Sequence, residues 1–510
     1  MAGAGDDDLR PHILAIPYPW MGHMTPVVQL CSILIATAGC RVTIACDDLC
    51  VPGLLKLLPE SLRDSTALTV LPISGQLPAA SAEESSAPPR GWDAVRHQIR
   101  SVEEALPLSL APHLERFRSD RRLACIISDV FINWAQDIAD QFGVPRLAVW
   151  ISSPAELLVH FHAKKLMKAG KLPFKFPVGR DANDIDNMIP GLGEGRPPIY
   201  HRVSGACLDE EKFTIDGLPS LHRGDFPTFL QIEDASDILF SYFMEHANIG
   251  AQGSMVILNT FEALDGALLE NLRLQGVNAL AVGPLFMLED EITKKEKPPK
   301  QVQKEEECLK WLDMQKPKSV IYVAFGTLTP MSWAQVKEIA NGLLNSGHPF
   351  IWTCERLIGD IGETREEFMS RFLKQCQGRG FVLKWAPQTR ILNHPSTGAF
   401  LTHCGWNSLL ETMSAGVPAL CLPLVSDQVL NCKLSVEMWK IGLGLEKRGD
   451  DGLALAIDIS RGIQQLLGNG EELQRRLQEL KKLAKVAVER GGSSYATLDV
   501  IMKVANLSRS

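Results

Sequence analysis

The chain has 510 residues, 45% of them hydrophobic and 22% charged, and its formal net charge is −8. These values fit a globular protein of two or three domains and exclude collagenous, coiled-coil and largely disordered chains. The acidic balance argues against nucleic acid or an anionic membrane surface as a partner.

Cysteine usage and the N-terminal segment indicate the compartment. The twelve cysteines are scattered through the chain, unlike those of a small secreted disulfide scaffold. The segment MAGAGDDDLR is acidic where a signal peptide carries Lys or Arg. We find no unbroken apolar run of about 18 residues, the length of a membrane span. The sequence therefore predicts a cytoplasmic protein with reduced thiols and no membrane insertion.

The first part of the chain alternates short apolar runs with helical-period segments. Apolar runs at 11–19 and 41–46 flank a helical pattern over 24–38 that stops at Gly39, which predicts a strand–helix–strand unit with parallel strands. Further strands are predicted at 123–128, 144–150 and 254–260. Segments 76–92 and 170–205 are rich in Pro, Gly, Ser and Asp and are predicted to be loops.

A change of composition divides the chain. Residues 289–307 are highly charged and interrupted by two prolines, which predicts a solvated linker. The alternation then restarts, with strands predicted at 319–326, 348–353, 380–385, 397–403, 417–423 and 442–446 and helices at 332–345, 454–467 and 470–491.

The pattern predicts two α/β domains, each an open parallel sheet, facing one another across a cleft. Ligands of such sheets bind at the carboxyl ends of the strands. The predicted boundaries are 1–288 for the N-terminal domain, 289–307 for the linker and 308–485 for the C-terminal domain, followed at 486–510 by a helix that packs back on the N-terminal domain.

A turn in the second domain suits a diphosphate. A predicted strand ends at about Thr402–His403, the turn Cys404-Gly405 follows, and a helix is predicted to begin near Asn407–Ser408. The unpaired N–H groups and the dipole of a helix start attract phosphate groups. Ser408 and Glu411 fit an ordinary capping box equally well. A second strand-end turn, Phe325-Gly326-Thr327, favours the phosphate interpretation.

Polar and aromatic residues flank this turn. Trp385 ends a predicted strand and is either a core side chain or a flat surface for a base, with Gln388 reading the edge of the base. Asp427 and Gln428 follow another strand. A carboxylate beside an amide suits neighbouring sugar hydroxyls, and a solvated turn with a helix cap is the alternative.

Residues 385–428 resemble the signature segment of plant secondary-product UDP-glycosyltransferases. The matching positions are Trp385-Ala386-Pro387-Gln388, His403-Cys404-Gly405-Trp406-Asn407-Ser408, Glu411 and Asp427-Gln428. The resemblance implies the GT-B fold, which has two Rossmann-like domains. It also implies transfer of a sugar, glucose above all, from a UDP donor to a hydroxyl of a small phenolic, flavonoid or terpenoid acceptor.

The resemblance further implies which residues contact the donor. Trp385 would stack on uracil, Gln388 contact the uridine and Glu411 bind the ribose. The implied UDP-binding set is Thr327, Trp385, Ala386, Gln388, His403, Gly405, Asn407, Ser408 and Glu411, and the implied sugar-binding set is Trp406, Asp427, Gln428 and Ser152.

The chain departs from the family pattern at three positions. Leu422 stands where the family usually has Trp, and Thr327 where it has Ser. Ile151, after Trp150, replaces a Thr that reaches the 6-hydroxyl of the sugar. Ser152 or Ser153 would have to substitute for it, so we expect weaker selection for a 6-hydroxyl.

Attack by an alcohol at neutral pH needs a base. His23 follows Gly22 after the first predicted strand, and Asp129 follows the strand at 123–128. An Asp bonded to one ring nitrogen fixes the tautomer and stabilises the imidazolium. An arbitrary histidine is more often structural or merely exposed, but the resemblance implies that His23 is the base and Asp129 its partner, in a displacement with inversion and without a metal.

Other features receive more ordinary interpretations. Trp20, Met21 and Met24 either line an apolar acceptor pocket or pack in the core. We expect no zinc site at the scattered Cys31, Cys40, Cys46 and Cys50. Asp184-Ile185-Asp186 is interpreted as a surface loop.

Two other classes of protein compete with this interpretation. An NAD-type Rossmann enzyme needs a Gly-x-Gly-x-x-Gly turn, whereas Gly22 stands alone after the first strand. A non-catalytic UDP-sugar-binding protein would bind the UDP-sugar without splitting it into sugar and UDP.

We expect a monomeric enzyme without a cofactor, whose acceptor is selected by residues 76–92, 170–205 and 222–245.

Overall fold

The structure is a computed structural model that describes residues 10–77, 91–119, 122–174, 211–251, 255–293, 303–326, 331–354, 365–448, 452–468, 470–505 and 507. The chain divides into two compact units. The first comprises 1–164, 238–296 and 484–510, and the second comprises 165–237 and 297–483.

Each unit is built on an open parallel sheet. The strands of the first are β1 (His12–Ile16), β2 (Arg41–Asp47), β3 (Leu68–Ile73), β4 (Leu123–Asp129), β5 (Arg146–Trp150), β6 (Met255–Leu258) and β7 (Asn278–Ala281). The strands of the second are β8 (Val320–Ala324), β9 (Phe350–Thr353), β10 (Gly380–Leu383), β11 (Thr397–Thr402), β12 (Ala419–Cys421) and β13 (Gly442–Gly444).

The strand order creates one switch point in each sheet. The orders are β3-β2-β1-β4-β5-β6-β7 and β10-β9-β8-β11-β12-β13. β1 pairs in parallel with β2 and β4, and β8 with β9 and β11, so the chain order reverses beside β1 and beside β8. Ligands of open α/β sheets bind at such reversals. The central strands β4 and β5 are buried along their whole length, which explains their continuous apolar sequences.

Helices cover the sheets. In chain order they are α1 (Met21–Ala38), α2 (Val51–Leu57), α3 (Glu60–Arg63), α4 (Gly91–Arg100), α5 (Leu106–Ser119), α6 (Ala135–Phe142), α7 (Pro154–Lys168), α8 (Ile238–Gly250), α9 (Glu262–Leu274), α10 (Leu285–Thr293), α11 (Gln303–Asp313), α12 (Trp333–Ser346), α13 (Arg365–Gln375), α14 (Gln388–Leu392), α15 (Trp406–Ala415), α16 (Gln428–Glu437), α17 (Ala456–Gly468), α18 (Glu471–Val488) and α19 (Ser493–Val504).

α1 is a core helix of the first unit. Among the described helices it alone is long and apolar enough to cross a membrane, with a mean hydropathy of 1.3, but 61% of it is buried inside the structure. Val27, Leu30 and Leu34 belong to the core of this unit. α19 adds Leu498 and Ile501 to the same core.

Two segments differ from the sequence-based expectation. α10 extends to Thr293 and α11 begins at Gln303, so helices occupy both ends of the predicted linker 289–307. The apolar side chains of α10 cause the first difference, because Leu285 and Leu288 are fully buried. Residues 294–302 lie outside the described part.

Segment 165–237 groups with the second unit, although the sequence places it in the domain 1–288. Hydrogen bonds fasten it there: Thr228 N donates to Ser426 O at 3.1 Å, and Ser426 N donates to Thr228 Oγ1 at 2.8 Å. The Lys433 ammonium also lies 3.3 Å from Asp225 Oδ2.

Candidate active site

The turn after β11 enters α15 without a capping side chain. Gly405 is the N-cap residue, no side chain caps the helix, and Cys404 takes a left-handed φ of 67°. Glu411 accepts a hydrogen bond from Gln388 instead of closing a capping box with Ser408. The structure therefore does not show the capping-box alternative. A helix start without such a cap is suited to an anion.

The imidazole of His403 lies against two glycines of this turn region. A Cβ atom on Gly326 would lie 2.9 Å from His403 Nε2, and one on Gly405 would lie 2.6 Å from it. Gly326 also has a left-handed φ of 70°, so both the backbone conformation and the lack of space favour glycine there. Thr327, the next predicted donor contact, lies outside the described residues.

His403 is neutral at physiological pH. Burial lowers its pKa to about 4, against an opposing hydrogen bond with the backbone of Ala324. The ring can therefore donate an N–H to a phosphate oxygen but does not bring a positive charge. Asn407 and Ser408 lie in the first turn of α15, where the sequence places them.

Gln388 and Glu411 are brought together by one hydrogen-bond network. Gln388 Nε2 donates to Ser408 Oγ at 3.0 Å and to Glu411 Oε2, and Tyr322 donates to Gln388 Oε1 at 3.1 Å. Burial raises the pKa of Glu411 to about 7, opposed by the Gln388 hydrogen bond. An amide and a carboxyl group are thus held side by side.

Trp385 is on the surface. Its side chain is 58% exposed just after β10, whereas the neighbouring Ala386 is only 4% exposed. The core interpretation of Trp385 is therefore wrong. An exposed aromatic ring at the carboxyl end of a strand is available for stacking on a planar ligand.

Asp427 and Gln428 lie at the start of α16. Gln428 Oε1 accepts from the N–H groups of Leu424 and Val425 at 2.9 and 3.0 Å, which leaves the amide nitrogen to donate to a ligand. Asn431 Nδ2 donates to Asp427 Oδ2 at 2.7 Å and to Cys404 O at 3.1 Å. Asn431 thus joins Asp427 of the predicted sugar site to the turn Cys404-Gly405, the predicted diphosphate site (below, the diphosphate turn).

Trp406 does not present its ring to a sugar. The side chain is 2% exposed and packs on Trp439, with ring centroids 5.3 Å apart. A contact from Trp406 to the sugar would have to come from its main chain at the helix start. Leu422, which replaces a Trp of the family pattern, is fully buried in the core of the second unit.

In the first unit, His23 and Asp129 form a hydrogen bond. His23 Nδ1 lies 2.8 Å from Asp129 Oδ2, and Asp129 Oδ1 accepts from Phe131 N at 2.9 Å. Asp129 is fully buried and His23 is 8% exposed. α1 begins at Met21, so His23 lies in its first turn rather than just before it. With Nδ1 bonded to the carboxylate, Nε2 is the nitrogen that can take a proton.

Arg146, on β5, holds the loop that carries Asp129. Its guanidinium donates to Ser128 Oγ at 2.8 Å, Asp129 O at 3.2 Å and Ile132 O at 3.0 Å. The residue is 4% exposed, and burial lowers its pKa to about 10, opposed by the charge of Asp129, so it remains a cation. This role was not predicted from the sequence, where a charged residue within an apolar run was the available signal.

Aromatic rings surround His23. Its ring centroid lies 5.0 Å from that of Tyr18, 5.3 Å from that of Trp20 and 6.1 Å from that of Phe131. Trp20, one of the predicted pocket residues, thus lies beside His23. Tyr18 and Phe131 were not predicted, although both belong to the same strand-end segments as the dyad.

The two predicted methionines are mainly packing residues. Met24 is 1% exposed and belongs to the core of the first unit, so the core alternative is correct for it. Met21 packs partly against the same core, and a Cβ atom on Gly53 would lie 2.9 Å from its sulfur.

The predicted acceptor segment 222–245 contains helix as well as loop. Its last residues belong to α8, whose Tyr242 hydroxyl donates to Phe131 O at 3.1 Å. Phe243 lies 5.3 Å from Phe131 between ring centroids. α8 thus packs on the aromatic group around His23. The other acceptor segments lie outside the description over 78–90 and 175–210, which include Asp184 and Asp186.

After Trp150, the two serines have different environments. Ser153 Oγ accepts from Glu156 N at 3.4 Å at the start of α7, and Ser153 O accepts from Trp150 Nε1 at 2.9 Å. Ser152 is 1% exposed, and Ile151 packs partly against the core of the first unit. Of the two serines, Ser153 is the one that caps the start of α7.

Comparisons with known proteins identify relatives over almost the whole chain. Residues 294–457 match a sequence family described as "UDP-glucoronosyl and UDP-glucosyl transferase". Linamarin synthase 1 of Manihot esculenta is 30% identical over 509 residues, covering 97% of this chain and 96% of that protein. The (R)-mandelonitrile beta-glucosyltransferase of Prunus dulcis is 30% identical over 513 residues, covering 98% of both chains.

The fold is also similar to that of a solved structure. It is the complex between a UDP-glucosyltransferase from Polygonum tinctorium, capable of glucosylating indoxyl, and 3,4-dichloroaniline. The TM-score is 0.75 and the sequence identity 26%, over 98% of this chain and 99% of that chain.

Proposed function

This chain is a UDP-glycosyltransferase of the UDP-glucuronosyl and UDP-glucosyl transferase family, and from that premise we propose that it transfers glucose from UDP-glucose to a hydroxyl of a small lipophilic acceptor. The predicted GT-B fold is confirmed by its two parallel α/β sheets and by the structural match. The single observation that carries the proposed mechanism is the hydrogen bond between His23 and Asp129.

The proposed reaction is a direct displacement with inversion. Nε2 of His23 takes the proton of the acceptor hydroxyl while the oxygen attacks the anomeric carbon. The bond from that carbon to the diphosphate breaks, and its electron pair leaves with UDP. Asp129 keeps the imidazole in the required tautomer and stabilises the imidazolium that forms. Arg146 acts as a positioning residue, because it holds the backbone on which Asp129 sits.

The proposed donor site stabilises the leaving group by hydrogen bonds. The start of α15 and the neutral imidazole of His403 supply N–H donors to the diphosphate, where negative charge develops. Exposed Trp385 stacks on uracil, and the paired Gln388 and Glu411 address uridine and ribose. Asp427 and the Gln428 amide bond the sugar hydroxyls.

The acceptor class is proposed from the rings beside the base. Tyr18, Trp20 and Phe131 form an aromatic group around His23 that suits a compact apolar or aromatic alcohol. The names of the compared proteins give mandelonitrile and indoxyl, and both are small hydroxyl compounds with aromatic rings. We place the acceptor of this chain among such plant secondary metabolites.

The remaining parts of the proposal concern the metal requirement, the oligomeric state and the location of the enzyme. The enzyme acts without a metal, because the His23–Asp129 pair supplies the base. It works as a monomer in the cytoplasm, a location supported by the free thiols of the eleven described cysteines.

An acceptor library tests the substrate class. UDP-glucose is incubated with cyanohydrins, phenols, flavonoids and terpenoid alcohols, and products are read by mass. The proposal predicts one hexosyl group added to a subset of these alcohols, with equal release of UDP. A mass gain from UDP-glucuronic acid alone would reject glucose as the donor sugar.

A further inference from the structure

Three cysteines of the second unit converge beside the diphosphate turn. The Sγ atoms of Cys404, Cys421 and Cys432 all lie within 4.8 Å of one another. They come from three elements: the turn after β11, the end of β12 and the middle of α16. Within the described part of the chain, no other group of three or more His, Cys, Asp or Glu ligand atoms meets in this way.

The spacing and the chemistry suit a soft metal ion. Thiolates bind zinc at about 2.3 Å, which places the sulfurs of a tetrahedral site ~3.8 Å apart. The sulfurs would therefore have to move closer together, by up to ~1 Å, to bind one ion. Three thiolates select Zn²⁺ and comparable thiophilic ions over Mg²⁺, which prefers oxygen ligands.

The burial of the three cysteines indicates how an ion could reach them. Cys404 and Cys421 are fully buried, whereas Cys432 is half-buried, so an ion can enter and retain a water ligand on the Cys432 side.

We propose that Cys404, Cys421 and Cys432 form a binding site for one thiophilic metal ion, and that occupancy of this site weakens donor binding. The ion is not a cofactor of glucosyl transfer, whose base is His23. It is an inhibitory ligand of the resting enzyme.

The coupling follows from the position of Cys404. This residue lies between His403 and Gly405, and its carbonyl oxygen is held by Asn431, which also holds Asp427. Pulling the Cys404 sulfur onto an ion displaces the left-handed turn that precedes α15. This second part of the inference rests on the proposed function of the turn, whereas the metal site itself does not.

Cadmium titration tests the site directly. Metal-free protein in a phosphine reductant is titrated with Cd²⁺, and thiolate-to-cadmium charge-transfer absorbance is recorded. One equivalent should saturate the band. Cys432→Ser and Cys421→Ser should each weaken binding by at least about 100-fold, above the range for outer-shell partners. Cys376→Ser, a change at a buried cysteine outside the cluster, is the matched control and should leave the band unchanged.

A band that is absent from the wild type, unchanged in Cys432→Ser, or equally lost in Cys376→Ser would overturn the site. Cys432 is half-buried, so its serine variant is the one least expected to disturb folding. The second readout is UDP binding by calorimetry. Zn²⁺ should weaken it about 10-fold or more in the wild type and not in Cys432→Ser. A normal cadmium band with unchanged UDP affinity would overturn the coupling, independently of whether the chain transfers glucose.

Discussion

His23 Nδ1 and Asp129 Oδ2 lie 2.8 Å apart, although 106 positions separate the two residues in the chain. The sheet brings them together, because β1 and β4 are neighbouring parallel strands and the chain leaves both of them at the same edge of the sheet. Asp129 is fully buried, so its carboxylate is directed to the imidazole and to Phe131 N rather than to solvent. The proposed base is thus oriented before substrate binds.

Removing the imidazole should abolish most turnover. His23→Ala is expected to lower kcat by about 10²–10⁴-fold while UDP binding, measured by calorimetry, stays nearly unchanged. Acceptors with acidic phenols should lose least, because they need the base least. Wild-type turnover in a folded variant would show that another group removes the proton.

Asp129 should act through His23 and not through a metal. Asp129→Asn keeps the shape but loses the charge, and we expect it to lose most activity. EDTA should not lower wild-type initial rates. Loss of activity in EDTA, restored by Mg²⁺ or Mn²⁺, would contradict the metal-free mechanism.

Substitution of Arg146 should slow the chemical step without weakening the binding of UDP-glucose. Arg146→Met removes four hydrogen bonds, to Ser128 Oγ and to the carbonyl oxygens of Asp129, Val130 and Ile132. The resulting misplacement of Asp129 and His23 should lower kcat by about 10²-fold. Arg146→Lys should recover part of this loss. The KM for UDP-glucose should stay unchanged in both, and a rise in KM with normal kcat would argue against a positioning role.

The sequence identifies central strands better than edge strands. Buried strands such as β4 are continuous apolar runs, and Asp129 was predicted from its place at the end of this run, with support from the resemblance. β3 was missed because it is a half-exposed edge strand that contains Pro72, which an edge tolerates. β7 was missed because its four residues include only one large apolar side chain.

The direction of a side chain could not be predicted from the motif. Trp385 and Trp406 both belong to the signature segment, yet the first is 58% exposed and the second 2%. Packing determines which ring is buried, because Trp406 packs against Trp439, which lies outside the motif. Arg146 and Asn431 were likewise missed, because their importance depends on backbone carbonyl groups that only the fold brings near them.

Glu411 should make stability depend on pH. Its pKa is raised by burial to about 7, from an ordinary value of 4.5, so the folded state holds this proton to higher pH than the unfolded state. The stability it contributes is complete below the ordinary value and is lost as pH rises to about 7. The free energy of unfolding of wild type should therefore fall relative to that of Glu411→Gln as the pH rises from 5 to 8, by roughly 1–3 kcal/mol. An equal difference in Tm at both pH values would contradict the shift.

Discrimination against UDP-xylose should be modest. Ile151 stands where the family pattern has Thr, so one partner of the 6-hydroxyl is expected to be missing. UDP-xylose should then be penalised by about 1–2 kcal/mol in direct competition with UDP-glucose. Ile151→Thr should widen the preference for glucose. Selectivity beyond about 10³-fold in the wild type would show that Ser152 or a backbone group already binds this hydroxyl.

The most direct measurement of the proposed chemistry compares wild type with His23→Ala on UDP-glucose and one accepted alcohol, by NMR of the anomeric proton with parallel quantification of UDP. The account predicts a β-glucoside and an equal amount of UDP from the wild type, and almost neither from the variant. An α-glucoside, UDP without glucoside, or equal product from both proteins would contradict it.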